Sequence, residues 1–105
     1  MADAEITKES RGVRHGRYVA RIPGVEGEAE ITFTKRGPDL ISADHTGAPE
    51  TLRGTGAAAA LVAHMVEDAR RNSFRIIPLC PYVQAQYKNH PAWADVFTTT
   101  PGEDA

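Results

Sequence analysis

Residues 50–59 read ETLRGTGAAA: an arginine, two glycines one residue apart, and a run of alanines that opens a helix. Glycines let a backbone approach a phosphate, and a helix start aims unpaired N–H groups and positive dipole at it. Arg53 adds a cation beside the same spot. Taken alone, the stretch is either an anion-holding loop or a tight strand-to-helix turn. Gly54-Thr55-Gly56-Ala57-Ala58-Ala59 fits G-x-G-x-x-A, a form of the dinucleotide fingerprint. Its context excludes that use. A dinucleotide loop follows the first strand of a βαβ unit and has an acidic residue about 20 positions on. Here three strand-like runs come first, and 74–79 is FRIIPL, with no acid. No Gly-Lys-Ser/Thr follows, so the loop is not a P-loop.

Three side chains have types suited to catalysis. Cys80, the one cysteine, stands between a short apolar run and Pro81. A thiol at a helix N-terminus has its thiolate favoured by the dipole and free N–H groups. The plainer reading is a buried small apolar residue. His45 closes a strand-like run and, as the side chain that titrates nearest neutral pH, suits a general base. It is equally a partly exposed strand-end histidine. Tyr87 lies four residues after Val83 on one helix face, a spacing that reads as core. His15, His64 and His90 read as surface residues whose separations suggest no metal site.

The elements that must position these residues follow from hydrophobic period. RYVARI (17–22) places Tyr18, Ala20 and Ile22 on one face, and EAEITFT (28–34) places Ala29, Ile31 and Phe33 on one face. LISADHT (40–46) is a third run, and the turns PGVEG and KRGPD separate the three. This predicts an antiparallel meander with one wet face. From Ala58 the period changes. Leu61, Val62, Met65, Val66 and Ala69 mark one face of a helix of about four turns that stops at Asn72-Ser73. FRIIPLC (74–80) reads as a buried strand ending at Pro78. A second helix, 81–89, begins at Pro81 with Cys80 at its N-cap. NHPAW ends that helix, and Trp93 and Phe97 read as core or as a lid on the cleft. The order is βββ-α-β-α. It predicts an α+β fold whose last strand lies parallel to strand 40–46 through a right-handed crossover.

Composition sets the outer limits. A chain of 105 residues with net charge −2 and 25% charged residues fits one globular domain, 1–105, with a core near 14–97 and a frayed tail, 98–105. It offers no basic stripe for nucleic acid. The longest apolar run, Ala57 to Ala63, is far shorter than the roughly 20 residues a membrane span needs. MADAEITKES has no pattern of a secretory leader, and a lone cysteine favours a reducing compartment, so a cytoplasmic protein is expected. Linear sequence carries no sign of oligomeric state.

The order strand, RGTGAA loop, long helix, strand, short helix resembles the GNAT acetyltransferase fold. HT at 45–46, P..LRGTGAAAALV at 49–62 and PLCPYVQAQYKNHP at 78–91 narrow the resemblance to the small single-domain GNAT-like proteins, over roughly residues 14–97. The family loop is Q/R-x-x-G-x-G/A. This chain matches at Gly54 and Gly56 and has Arg53 in the commonly basic position, but it departs at Thr51. The resemblance implies acetyl-CoA as cosubstrate, held by Thr46, Leu52, Arg53, Gly54, Thr55, Gly56, Ala57, Ala58 and Tyr82. It also implies an amine acceptor and places Cys80 near the thioester, His45 as base and Tyr87 as donor to the departing thiolate. The family's Gly-Phe after that tyrosine is replaced here by His-Pro. A backbone N–H near Asp44 or His45 would serve as oxyanion donor. Transfer is then direct, with His45 deprotonating the amine, or proceeds in two steps through Cys80. Other readings of the same residues are a CoA-binding module with little catalysis and a small α+β interaction domain that binds no CoA.

Overall fold

The computed structural model describes residues 4–52 and 54–98. Strands β1 (Glu5–Arg11), β2 (His15–Arg21), β3 (Ala29–Gly37) and β4 (Leu40–Gly47) form an antiparallel meander. A 3-10 turn (Glu50–Leu52) leads to helix α1 (Ala57–Asn72), strand β5 (Arg75–Pro78) and helix α2 (Pro81–Lys88); a second 3-10 turn covers Pro91–Asp95. The sheet order is β1-β2-β3-β4-β5, with β5 parallel to β4 as the crossover through α1 requires. This is the expected α+β architecture with one strand more than the sequence showed. β1, EITKESR, has Ile6 as its one large apolar residue, so its period is invisible. Full pairing with β2, from Glu5 opposite Arg21 to Arg11 opposite His15, makes it a strand. The expected frayed tail lies, from position 99 on, outside the described residues, as does Arg53.

The faces of the sheet divide the labour. Tyr18, Ala20, Ile22, Ala29, Ile31, Phe33, Ile41 and Ala43 join the buried residues of α1 and α2 in one core. Val19, Ser42 and Ile77 are buried outside that cluster, so the opposite face is not uniformly wet. Ser42 is the buried polar residue among those described. α1 buries the expected stripe plus Ala57. It stops at Ser73, whose φ of 59° is left-handed and whose N–H donates to Ala69 O. No described helix is long and apolar enough to cross a membrane.

A small ionic cluster ties β1 to α1. Lys8 Nζ lies 2.8 Å from Asp68 Oδ2 and over the rings of Tyr18, Phe33 and Phe74, while the Tyr18 hydroxyl donates to the same carboxylate at 2.6 Å. Burial alone would raise the Asp68 carboxyl. Hydrogen bonds from Lys8 and Tyr18, with the Lys8 charge, outweigh it and hold the group below its ordinary range. The Tyr18 phenol is driven strongly upward by burial and by donation to Asp68. Thus Lys8 adds contacts to the body that β1, with Ile6 as its one large apolar residue, otherwise lacks.

Two expectations follow for stability. A carboxylate whose folded value lies below its unfolded value stabilises the fold fully above about pH 4 and loses that contribution as pH falls through the folded value. Asp68→Asn should therefore lower the unfolding free energy by about 1–2 kcal/mol at pH 7. Urea midpoints measured at a series of pH values should converge with the parent's below about pH 4. A pH-independent gap would show that the charge is immaterial. Ser73→Gly should relieve the left-handed strain and raise stability by about 0.5–1 kcal/mol in the same assay, after the greater chain entropy of glycine is deducted.

Candidate active site at the fork of β4 and β5

Parallel pairing between β4 and β5 runs from Leu40 opposite Arg75 to Ala43 opposite Pro78 and then stops. At that point the Ala43 carbonyl accepts from both Leu79 N, at 3.1 Å, and Cys80 N, at 2.9 Å. The two N–H groups turn the chain out of the sheet and into α2. Pro81 is the first residue of that helix, where a missing N–H costs nothing, and Cys80 is its N-cap, with φ −73° and ψ 129°. Beyond Ala43 the strands part, and a cleft of about 530 Å³ opens, lined by Thr46, Ala48, Leu52, Gly54, Gly56, Ala57, Ala58, Ala59 and Tyr82.

The floor of the cleft is the start of α1. Gly54 and Gly56 have φ of 78° and 85°, and a Cβ built on either meets nothing within 4 Å. Glycine is thus demanded by conformation rather than by crowding, and the space beside both backbones is open to a ligand. Gly56 caps α1 without a side-chain hydrogen bond. The Thr55 hydroxyl donates to Leu52 O and accepts from Ala57 N at 3.3 Å, so it braces the loop from behind. The remaining first-turn N–H groups have no intrahelical acceptor and lie at the cleft.

Cys80 is 4% exposed and does not itself line the cleft, but its Sγ lies 3.2 Å from the hydroxyl of Thr46, which does. Tyr82, on the first turn of α2, closes the side wall; burial and the nearby Cys80 push its phenol upward. His45 sits elsewhere. It is exposed and lies opposite Thr32, while Thr46 lies opposite the core residue Ile31, so successive residues face opposite sides of the sheet. A Cβ on Gly47 would stand 3.6 Å from His45 Nε2 and 3.9 Å from Glu30 Cγ, which places the imidazole beside Glu30 on the face away from the helices. Tyr87 stacks on Phe97 at 4.6 Å, and Phe97 packs against Trp93. Six residues after Pro81, it stands about 9 Å along α2, and it is not among the cleft-lining residues.

The structure therefore brings Thr46, Leu52, Gly54, Gly56, Ala57, Ala58 and Tyr82 together at one cleft, with Thr55 behind the loop and Cys80 behind Thr46. His45 reaches the fork from the other face. Ala48 and Ala59 line the cleft without having been singled out. The i, i+3 spacing of Gly56 and Ala59 was the available signal for the second; Ala48, beyond the end of β4, had none. Trp93 and Phe97 belong to an aromatic cluster under α2 and do not cover the cleft. The described residues contain no group of histidine, cysteine, aspartate and glutamate side chains able to hold a metal.

Comparison with known proteins agrees with this fold. The NMR solution structure of a GCN5-like protein from Staphylococcus aureus superposes with a TM-score of 0.65 at 26% identity, over 94% of this chain and 92% of that one. No curated protein sequence matches the chain significantly. A family model described as GCN5-related N-acetyl-transferase matches residues 17–96. That span runs from β2 to the end of the last 3-10 turn and includes the whole fork. The chain belongs to the GCN5-related N-acetyltransferase family.

Proposed function

We propose that the protein transfers an acetyl group from acetyl-CoA to an amine. The observation that carries this reading is the cleft at the fork, where two left-handed glycines and a helix start face Thr46 and Tyr82 in a chain of this family. The main-chain N–H groups of the first turn of α1 hold the pyrophosphate, supported by Arg53. The β4 edge beyond Ala43, no longer paired with β5, is free to bond the pantetheine amides as an added strand would. The main-chain N–H of Asp44 or His45 serves the thioester oxygen as oxyanion donor.

Two faces suit two reactants. The thioester enters from the helix side through the cleft, and the amine approaches from the opposite side, where His45 is exposed and takes its proton. The amine nitrogen attacks the carbonyl carbon, the carbon–sulfur bond breaks, and CoA leaves as a thiolate that is protonated to the thiol. Tyr87, its ring stacked on Phe97, is the proton donor that the family resemblance implies for this thiolate. The covalent route rests on the contact between Thr46 and Cys80. There the Cys80 thiolate displaces CoA, and the amine then displaces the thiolate. A reducing cytoplasmic setting suits the single thiol.

Calorimetry with CoA is the first test. The parent should bind, and Gly56→Glu should weaken binding at least about tenfold, because it sets a carboxylate at the anion position and a side chain at a left-handed φ. Unchanged affinity would remove the loop from the site. An amine panel with acetyl-CoA should then release CoA thiol; binding without release on any amine would mark a CoA-binding module instead. For the route, protein is incubated with acetyl-CoA alone and weighed intact. A gain of one acetyl group, absent from Cys80→Ala, supports the covalent path. No gain, with turnover surviving in Cys80→Ala, eliminates it.

A further inference from the structure

The pairing of β3 with β4 slips twice. Thr32 lies opposite His45 and Phe33 opposite Ala43, so Asp44 is an extra residue in β4. Lys35 lies opposite Ile41 and Gly37 opposite Leu40, so Arg36 is an extra residue in β3. The side chains of these two bulge residues converge on the same buried atom. Ser42 Oγ accepts from Arg36 Nε at 3.0 Å and donates to Asp44 Oδ1 at 2.6 Å. The Thr34 hydroxyl donates to the other oxygen, Oδ2, and an Arg36 guanidinium nitrogen stands 4.0 Å from Oδ1. Ser42 is fully buried, so its hydroxyl is costly to leave unpartnered, and here it both donates and accepts.

The bulge at Asp44 decides which side chain faces which reactant. Side chains alternate along a strand, so a slip of one residue moves every later one to the other face. Were the Phe33–Ala43 register continued, Asp44 would lie opposite Thr32 and His45 opposite Ile31. The imidazole would then turn into the core side beside Cys80, and Thr46 would turn away from it. With the extra residue, Thr46 reaches Cys80 Sγ and His45 takes the outer face.

We propose that Asp44 is a positioning residue, and that its clamp on Thr34 and Ser42 holds the bulge that sets Thr46 toward the cleft and His45 toward the acceptor side. The assignment of the two sides rests on the acetyl-transfer reading; the geometric role of the clamp does not. The carboxylate, held at both oxygens by hydroxyls from two strands, fixes an extra residue that main-chain pairing leaves unpaired. Arg36, tied to Ser42, links the second bulge to the first.

The test compares Asp44→Ala and Asp44→Asn in the full chain, with Thr34→Val as a milder variant that removes one of the two hydroxyl donors. Cross-strand NMR contacts read the register directly. In the parent and in Asp44→Asn, His45 should remain opposite Thr32, because the amide oxygen accepts one hydroxyl and the amide nitrogen donates to the other. In Asp44→Ala, or in Thr34→Val should the first fail to fold, that contact should weaken and an Ile31–His45 contact should appear. CoA binding by calorimetry should weaken without being lost, since the α1 loop is untouched while the β4 edge and Thr46 shift. The kcat of CoA thiol release should fall by roughly ten- to a hundredfold, as small misplacements of reacting groups do, and Asp44→Asn should restore most of it. An Asp44→Ala protein that folds with His45 still opposite Thr32 and with the parent's kcat overturns the proposal. Should the parent itself release no thiol, the acetyl-transfer reading fails, and the cross-strand contacts alone decide the role of Asp44.

Discussion

The parallel pairing of β4 with β5 ends at Ala43, and the rest of the site depends on that end. One carbonyl there receives two N–H groups, from Leu79 and Cys80, and no further ladder bond joins the strands. Had pairing continued, the sheet would have closed over the space that the cleft now occupies. Pro78 and Pro81 enforce the stop locally, since neither can donate to a ladder, and Pro81 is preset for the first turn of a helix. The start of α1 and the start of α2 then come to the same end of the sheet, because both helices follow strands that run toward it.

The same end is where the sheet changes parity. On the helix side the site is a backbone surface: glycines, alanines and first-turn N–H groups, with Thr46 and Tyr82 as its polar side chains. On the other side it is a surface of side chains, among them His45, Glu30 and the Asp44 clamp. A backbone surface suits recognition of a phosphate chain, because it does not depend on long flexible side chains. A side-chain surface suits proton transfer. The bulge residue lies on the border between them.

The far edge of the sheet is managed differently. Ile76 N donates to Val96 O and Thr98 N to Ile76 O, so the chain after α2 returns to cover β5. That return carries Phe97 under Tyr87 and Trp93, and the aromatic cluster supports α2 from below. At the other edge, β1 is held by its ladder to β2, by Ile6 packed against the core and by an ion cluster at Asp68.

Much of this was legible in the residues. The two helices, the stop of the first at Asn72-Ser73, Cys80 at the cap of the second, the core faces of β2 and β3, and the parallel last strand follow from period, glycine, proline and turn chemistry and from the handedness of crossovers. The glycine loop and Tyr82 could be placed at one site through the resemblance their motifs carry. β1 escaped because its strand character comes from its partner, and the aromatic packing of Tyr87 escaped because Phe97 is ten residues away. Most consequentially, the sides taken by His45 and Thr46 could not be read. Alternation along LISADHT puts Ile41, Ala43 and His45 together, and only the pairing with β3 shows that Asp44 is an extra residue and that His45 changes sides. Sequence by itself determined the elements, because propensity and period are properties of neighbours in the chain. The tertiary structure decided which face each chemical group serves, because register is set by hydrogen bonds to another strand.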